Sequence, residues 1–591
     1  MKFPYGISDF HKIVTKDYFY IDRTDRVRAI EDAGDYLLFL RPRRFGKSLW
    51  LSTLENYYDV AKADEFERLF GHLAIGQNPT PLHNQYFVLK WDFSMVDPQG
   101  EAEQIRGALH RYVNRRIQDF AITYRDILPI EIPIEPADAL ISFLALLAAV
   151  RETPYCLYLM VDEYDNFANE VLTASEERYY ALLSGEGLLK TMFKAAKSGA
   201  AGLGVDRMFI TGVSPVVMSD ITSGYNVATN IYLEPEFNDL CGFTEAEVTE
   251  TLRHVADKCG FSVNEIDQAL TMMYTFYDGY RFDYDADESV YNPTLALYFL
   301  RQFQKHCKYP RQMLDSNLAM DRAKIAYISR LPNGGQLILD VLNEEKRVSV
   351  QLLADRFGVK DMLKATKDTT FMTSLLYYFG VLTLGGYTLD GELILGVPNL
   401  VVRKLYIERI RETLLPDPRN EEMGREAART LYKTGDMQPL CDFVEQRYFK
   451  VFDNRDYRWA NELTVKTAFL TLLFNDVLYV MDSEPALERG YADLVMIVRP
   501  DMRQYQLLDV LIEFKYVKLK KDAKMSSAEV RQLSRKALLE LPKVQEKLAE
   551  ARSKLDEYRQ SLRGKYGDAL RLRTYAVVSV GFERLAWTKV E

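Results

Sequence analysis

Cysteine is scarce in this chain: five in 591 residues, at 156, 241, 259, 307 and 441, with no CxxC pair among them. Scattered thiols in odd number give no zinc site and exclude a disulfide scaffold, and they fit reduced cysteines in a cytoplasmic setting. Long hydrophobic runs are also lacking. The longest nearly apolar stretch, Ala139 to Val150, falls far below the roughly 20 residues a helix needs to cross a bilayer. No membrane partner is therefore expected. The opening MKFPYGISDF has no charge-then-apolar export pattern. Internal repeats, low-complexity tracts and Gly/Ser-rich linkers are absent too, so domain limits must come from changes of pattern.

What is present is a large apolar inventory. The chain is 48% hydrophobic and 12% aromatic, enough to bury several cores and too much for a disordered protein. Its length exceeds the roughly 250–300 residues at which one core stops growing. The net charge of -10 is uneven. From Arg499 onward 21 Lys+Arg face 13 Asp+Glu, so the last segment is basic on an acidic protein. A polyanion partner fits that segment, and so do ordinary helices with solvated basic faces.

Three pattern regimes divide the chain. Residues 1–240 alternate short apolar runs (Tyr36–Leu40, Tyr86–Trp91, Cys156–Val161, Arg207–Thr211) with amphipathic stretches, the signature of an α/β fold with a parallel sheet under helices. Residues 241–440 shift towards helical period, interrupted by the hairpin-like GVLTLGGYTLDGELILGV. Residues 441–591 then give a helix (Glu462–Phe474), two strands (Asp493–Arg499 and Tyr505–Val517), long helices and a last strand, LRTYAVVSV.

Two places carry chemistry. The first is RPRRFGKS, between the strand Tyr36–Leu40 and the helical pattern LWLSTLENYY. Backbone amides of Arg44, Phe45 and Gly46 at a helix start would wrap phosphates, Lys47 would place a point charge on them, and Ser48 would ligate Mg²⁺. The first glycine of the usual GxxxxGK[ST] is Arg41 here, so a basic turn with a chance GKS is the plain alternative. Support lies downstream, where the apolar strand CLYLMV ends in Asp162 and Glu163. Asp162 can hold the Mg²⁺ shell while Glu163 polarises the attacking water. Thr211, at the tip of a further strand, is placed to sense the γ-phosphate.

The second is GYADLVMIVRPDMRQYQLLDVLIEFKYVK. A turn centred near residue 503 sets positions summing to about 1006 opposite each other, which pairs Asp493 with Glu513. Glu513 and Lys515, two apart, share a face. Two carboxylates and the Phe514 carbonyl offer hard oxygens to Mg²⁺ or Mn²⁺. Lys515 can orient water against a phosphodiester and stabilise added negative charge. Glu462, at the start of the preceding helix, is an outer carboxylate for the same metal or a second one. A solvated cross-strand ion pair is the plain alternative.

With both motifs in hand, the chain resembles bacterial proteins that carry an N-terminal AAA-ATPase-like domain and a C-terminal PD-(D/E)xK nuclease domain. The resemblance rests on PYGISDF, YIDRT, LRPRRFGKSL, VDEYD, FITGVSP, CGFTEAEV, YDGYRF and VYNP, then SLLYYFGVLTL and GVPNLVV, and finally GYADLV, IEFK and GFERLAW. Arg41 in place of glycine is normal in that family. The resemblance implies ATP and Mg²⁺ at Lys47, Ser48, Asp162 and Glu163, and a metal-dependent nuclease site at Asp493, Glu513 and Lys515. Tyr491-Ala492 stands where the superfamily often has proline. Lys554 stands between Ala551 and Tyr558 where relatives often carry glutamine. The expected architecture is a P-loop domain with a helical lid, a helical, winged-helix-like middle, and a restriction-endonuclease-like C-terminal domain. The expected function is an ATP-gated DNA nuclease acting in defence or mobile-element processing. The alternative is a nucleotide-dependent switch that binds nucleic acid or protein through an inactive nuclease fold. Assembly into homo-oligomers is compatible with either.

Overall fold

The computed structural model describes residues 1–590 apart from 98, 167–194, 196–204, 216–227, 315–321, 344–346, 356, 358–367, 416, 453–461, 483–485, 488–489 and 492. The helical pattern expected between the third and fourth strands lies almost wholly outside these residues.

The N-terminal sheet is built from β1 (Tyr36–Leu40), β2 (Tyr86–Asp92), β3 (Cys156–Asp162), β4 (Val205–Gly212) and β5 (Thr229–Asn230), all parallel, in the order β2-β3-β4-β1-β5. Four of these strands are the apolar runs read from sequence, the first unchanged, the second and third longer by one residue and the fourth by three. They are mostly apolar because helices cover both faces, which leaves no regular polar alternation. In register, Leu40 pairs with Gly212 and Val161 with Ile210. The carboxyl ends of β1, β3 and β4 therefore open on one edge, where parallel sheets present their crevice.

In the middle, the helices Glu245–Cys259, Val263–Tyr277 and Pro293–His306 follow, the first two starting with capping boxes at Thr244 and Ser262. Next come β6 (Val348–Val350), β7 (Thr383–Tyr387) and β8 (Leu393–Gly396), an antiparallel sheet in the order β6-β8-β7. Leu375, Leu376, Tyr377 and Tyr378 of the adjoining helix are buried and belong to the core. One cysteine expectation is corrected here: Cys259 and Cys307 form a disulfide across 48 residues. Cys259 ends one helix and Cys307 caps another, and packing of the two helices brings together thiols that spacing alone could not pair. Cys156, Cys241 and Cys441 are free.

The motif words of this region prove to be packing partners. Gly279 of YDGYRF has φ +97°, and a Cβ there would sit 2.1 Å from the Pro398 carbonyl of GVPNLVV. Gly279→Ala should therefore cost about 2–4 kcal/mol, from strain at positive φ plus backbone overpacking, seen as a lowered urea midpoint. A loss under ~0.5 kcal/mol would contradict this packing.

The C-terminal sheet comprises β9 (Tyr479–Asp482), β12 (Leu494–Val498), β13 (Asp509–Val517), β14 (Leu572–Val580) and β15 (Arg584–Val590), ordered β15-β14-β13-β12-β9, with a two-stranded pair β10 (Ala486–Leu487) and β11 (Gly490–Tyr491) beside it. Leu494, Val495 and Met496 oppose Ile512, Leu511 and Val510, the register expected of a turn at 503. Alternation then sorts the faces. Leu494, Met496, Val510, Ile512 and Phe514 join the main core, while Val495, Leu511 and Val517 pack under the long helix Pro542–Tyr566. Among the described residues no helix is long and apolar enough to cross a membrane.

Candidate functional site

The loop after β1 turns on two left-handed residues, Arg44 (φ +69°) and Gly46 (φ +97°). A Cβ at Gly46 would meet nothing within 4 Å, so backbone conformation rather than space demands glycine there. The helix Lys47–Tyr58 starts immediately after, with Gly46 as its N-cap, which aims free amides and a positive dipole end at the loop. Lys47 is buried, its Nζ donating to the carbonyls of Arg41 (3.1 Å) and Pro42 (3.3 Å) and standing 3.5 Å from Glu163. Burial raises the Glu163 carboxyl above its ordinary value, against the pull of Lys47.

Arg41 does not take over the missing glycine's place at the loop. Its guanidinium is buried, donating to the carbonyls of Leu40 (2.9 Å), Tyr232 (2.8 Å) and Phe237 (2.5 Å) and lying over the rings of Phe39 and Phe282. Burial depresses it to about 10. It is a strut that fixes the β1 exit to the chain after β5.

Asp162 is buried and accepts from the Thr211 hydroxyl (2.6 Å) and the Glu163 amide (3.0 Å). Thr211 thus points at Asp162, within the sheet edge. Sequence reasoning passed over Asp165, which is fully buried and accepts from the Val213 amide and from both the amide and hydroxyl of Ser214. Its signal is the VDEYD word itself, whose fifth position is this second aspartate. A cavity of about 320 Å³ lies against the loop, lined by Arg44, Phe45, Gly46, Lys47, Ser48 and Glu163 and by apolar groups including Pro4, Tyr5, Ile7, Phe19, Tyr20 and Phe243. The N-terminal segment PYGI is therefore a wall of this site.

In the C-terminal sheet the odd-numbered face gathers the second cluster. Glu513 is fully buried and Lys515 nearly so; Lys515 Nζ donates to Glu513 Oε1 (2.8 Å) and to the Phe514 carbonyl (2.7 Å). Asp493 Oδ2 accepts the Phe514 amide at 2.6 Å, which locks the two strands at the end of their ladder. The helix Glu462–Leu473 adds two side chains one turn apart: Glu462, 3.5 Å from Lys515, and buried Lys466, 3.7 Å from Asp493. From the opposite side, Lys554 reaches Glu513 Oε1 at 3.0 Å. Burial, and then the neighbouring Asp493, push the Glu513 carboxyl up. Burial works against the Lys515 ammonium, yet Glu513 and Glu462 hold it above the usual lysine range.

Among the described residues no group of three or more His, Cys, Asp or Glu is arranged to hold a metal ion. Lysines stand among the acids instead: Glu462 faces Lys515, and the Phe514 carbonyl accepts from the same ammonium. A pair of acids remains, and it suits a divalent cation. Glu513 Oε2 is buried with no hydrogen-bond partner, and a buried carboxylate oxygen left in that state is one a cation would satisfy.

A nucleotide-type phosphate loop on a parallel sheet, joined to an acid–lysine hairpin on a mixed sheet, defines a two-domain class. Residues 4–222 match the family model described as Predicted AAA-ATPase, and residues 460–583 match that of the PD-(D/E)XK nuclease superfamily. The chain thus carries an AAA-ATPase-like domain followed by a PD-(D/E)XK nuclease superfamily domain. It is 26% identical over 433 residues to an uncharacterized protein in the vnfD 5' region of Azotobacter chroococcum mcd 1, covering 71% of each chain. Among solved structures, a Walker-type ATPase of Pyrococcus abyssi is similar at 14% identity and TM-score 0.36, covering 66% of this chain and 96% of that one. The Orc1 protein of Aeropyrum pernix, solved with DNA, is similar at 12% identity and TM-score 0.26, covering 67% and 96%.

Proposed function

We propose that this protein is an ATP-gated, divalent-metal-dependent DNA nuclease. The observation that carries the reading is the buried meeting of Asp493, Glu513 and Lys515, with one Glu513 oxygen unpartnered. Asp493 and Glu513 would hold Mg²⁺ or Mn²⁺, with Glu462 as an outer acid. The metal, when bound, supplies Lewis acidity to the phosphodiester and its attacking water. Lys515 then orients that water and stabilises charge gathering on the phosphate. In the first domain Arg44, Phe45, Gly46, Lys47 and Ser48 would cradle ATP, Asp162 would support Mg²⁺, and Thr211 would hold Asp162. Glu163 would polarise the hydrolytic water.

Gating is supported by a continuous chain of contacts. Thr294, in the first turn of the helix Pro293–His306, donates to the Arg44 carbonyl of the phosphate loop (2.9 Å). Just beyond that helix, the Pro310 carbonyl accepts from buried Arg499 at 2.9 Å. Arg499 follows β12, the strand that starts after Asp493. A shift of the loop on nucleotide binding thus has a packed route to the acid–lysine cluster.

One observation favours a second reading, a nucleotide switch with a silent nuclease fold: Lys466, Lys515 and Lys554 already stand against the carboxylates. Incubation of the protein with plasmid and linear DNA in Mg²⁺ or Mn²⁺, with and without ATP, separates the two. Cleavage that rises severalfold with ATP supports the nuclease. Tight DNA binding with no cleavage under any metal supports the switch.

A further inference from the structure

Glu513 is approached by two ammonium groups, and they differ. Lys515 lies on the same strand, is nearly buried, and also serves the Phe514 carbonyl and Glu462. Lys554 comes from the helix Pro542–Tyr566, and among the described residues its one ion pair is with Glu513 Oε1. Its side chain is 47% exposed, whereas Glu513 is fully buried. The backbone beneath Lys554 is fixed, because Ala551, Leu555 and Tyr558 on the same helix are buried against the sheet. Lys554 can therefore leave Glu513 by rotating its side chain into water, without moving the helix, while Lys515 has nowhere comparable to go.

Charge decides what happens next. A dication at the Asp493–Glu513 pair would sit about 2 Å from its carboxylate oxygens, while an ammonium already lies 3.0 Å from Glu513 Oε1. Two positive groups on the two oxygens of one carboxylate, the cation on Oε2 and the ammonium on Oε1, repel, and the half-exposed one yields. Displaced by a side-chain rotation, its ammonium remains at the rim of the site, where a phosphodiester approaching the metal would meet it.

Resting on the nuclease reading above, we infer that Lys554 covers Glu513 while the metal is away and, once displaced, becomes a ligand of the substrate phosphate. The lysine-filled cluster is then the resting form of an active site and not the mark of a silent one.

The test uses the full-length protein and Mn²⁺ alone, titrated calorimetrically. Lys554→Met should bind Mn²⁺ about tenfold more tightly than wild type, because the competing charge is gone. Lys554→Arg should bind it as wild type does. In single-turnover cleavage of linear DNA at saturating Mn²⁺, Lys554→Met should be about a hundredfold slower, and Lys554→Arg should recover most of that loss. Unchanged or weaker Mn²⁺ binding in Lys554→Met overturns the proposal, and so does undiminished cleavage. Asp493→Ala is the control. If it abolishes Mn²⁺ binding while Lys554→Met changes nothing, the role of Lys554 alone is refuted. If Asp493→Ala leaves Mn²⁺ binding intact, the metal site and this inference fall together.

Discussion

Glu513→Gln is expected to slow metal-dependent DNA cleavage by roughly a thousandfold or more, while shifting stability by less than about 2 kcal/mol. The two effects separate because the carboxylate is fully buried. Keeping it charged costs solvation, and burial already pushes its pKa upward. A neutral amide of the same shape relieves that cost. Neither ammonium is stranded by the change: Lys515 keeps the Phe514 carbonyl and Glu462, and Lys554 is half in water. What the amide cannot do is offer an anionic oxygen to a dication beside Asp493. Single-turnover rates at saturating Mn²⁺, set beside urea melts of both proteins, check the separation. A variant that cuts within tenfold of wild type would remove Glu513 from the chemistry.

The parts of this arrangement visible in sequence are those that local rules determine. Strand parity and one turn centre suffice to place Glu513 and Lys515 on one face and Asp493 across from them. A parallel sheet under helices follows from apolar runs such as CLYLMV, since a doubly covered strand cannot alternate. Contacts made by elements remote in sequence were not legible. Lys554 was visible as an oddity between Ala551 and Tyr558, but its reach to Glu513 depends on the helix angle over β13. Lys466 lies one turn beyond Glu462, where it reads as an ordinary i,i+4 partner of that acid and nothing local directs it to Asp493. β9 and β15 flank the sheet as edge strands, short or mixed in polarity, and neither rises above its surroundings in sequence. The Cys259–Cys307 pairing depends on how two helix ends meet. Arg41 looked like a defect in a glycine motif, and only the carbonyls of Tyr232 and Phe237, nearly two hundred residues away, reveal it as a strut.

In the ATPase-like domain the expected results divide by step. Lys47→Ala should weaken ATP binding about a hundredfold, since a buried ammonium facing polyphosphate at a helix N-terminus loses its charge-assisted bonds. Glu163→Gln should bind ATP as tightly as wild type or more so, and hydrolyse it about a hundredfold to a thousandfold more slowly. The sign of the binding effect follows from charge. Glu163 stands 3.5 Å from Lys47 in the nucleotide-free site, so a triphosphate must compete with it for that ammonium. An amide releases Lys47 to the phosphates and removes a neighbouring anion. The rate falls because the amide cannot accept a proton from water. Burial raises the Glu163 carboxyl, so wild-type hydrolysis should fall off on acidification at a higher pH than an exposed glutamate would give, as the base is protonated. That acid limb should be missing from the residual turnover of Glu163→Gln. Binding of a fluorescent ATP analogue and phosphate release at saturating ATP and Mg²⁺ measure the two steps independently. Wild-type turnover in both variants would mean that the loop after β1 holds no hydrolysable nucleotide. ATP-stimulated DNA cleavage would then need a nucleotide site elsewhere, away from the path that joins Arg44, Thr294 and Arg499.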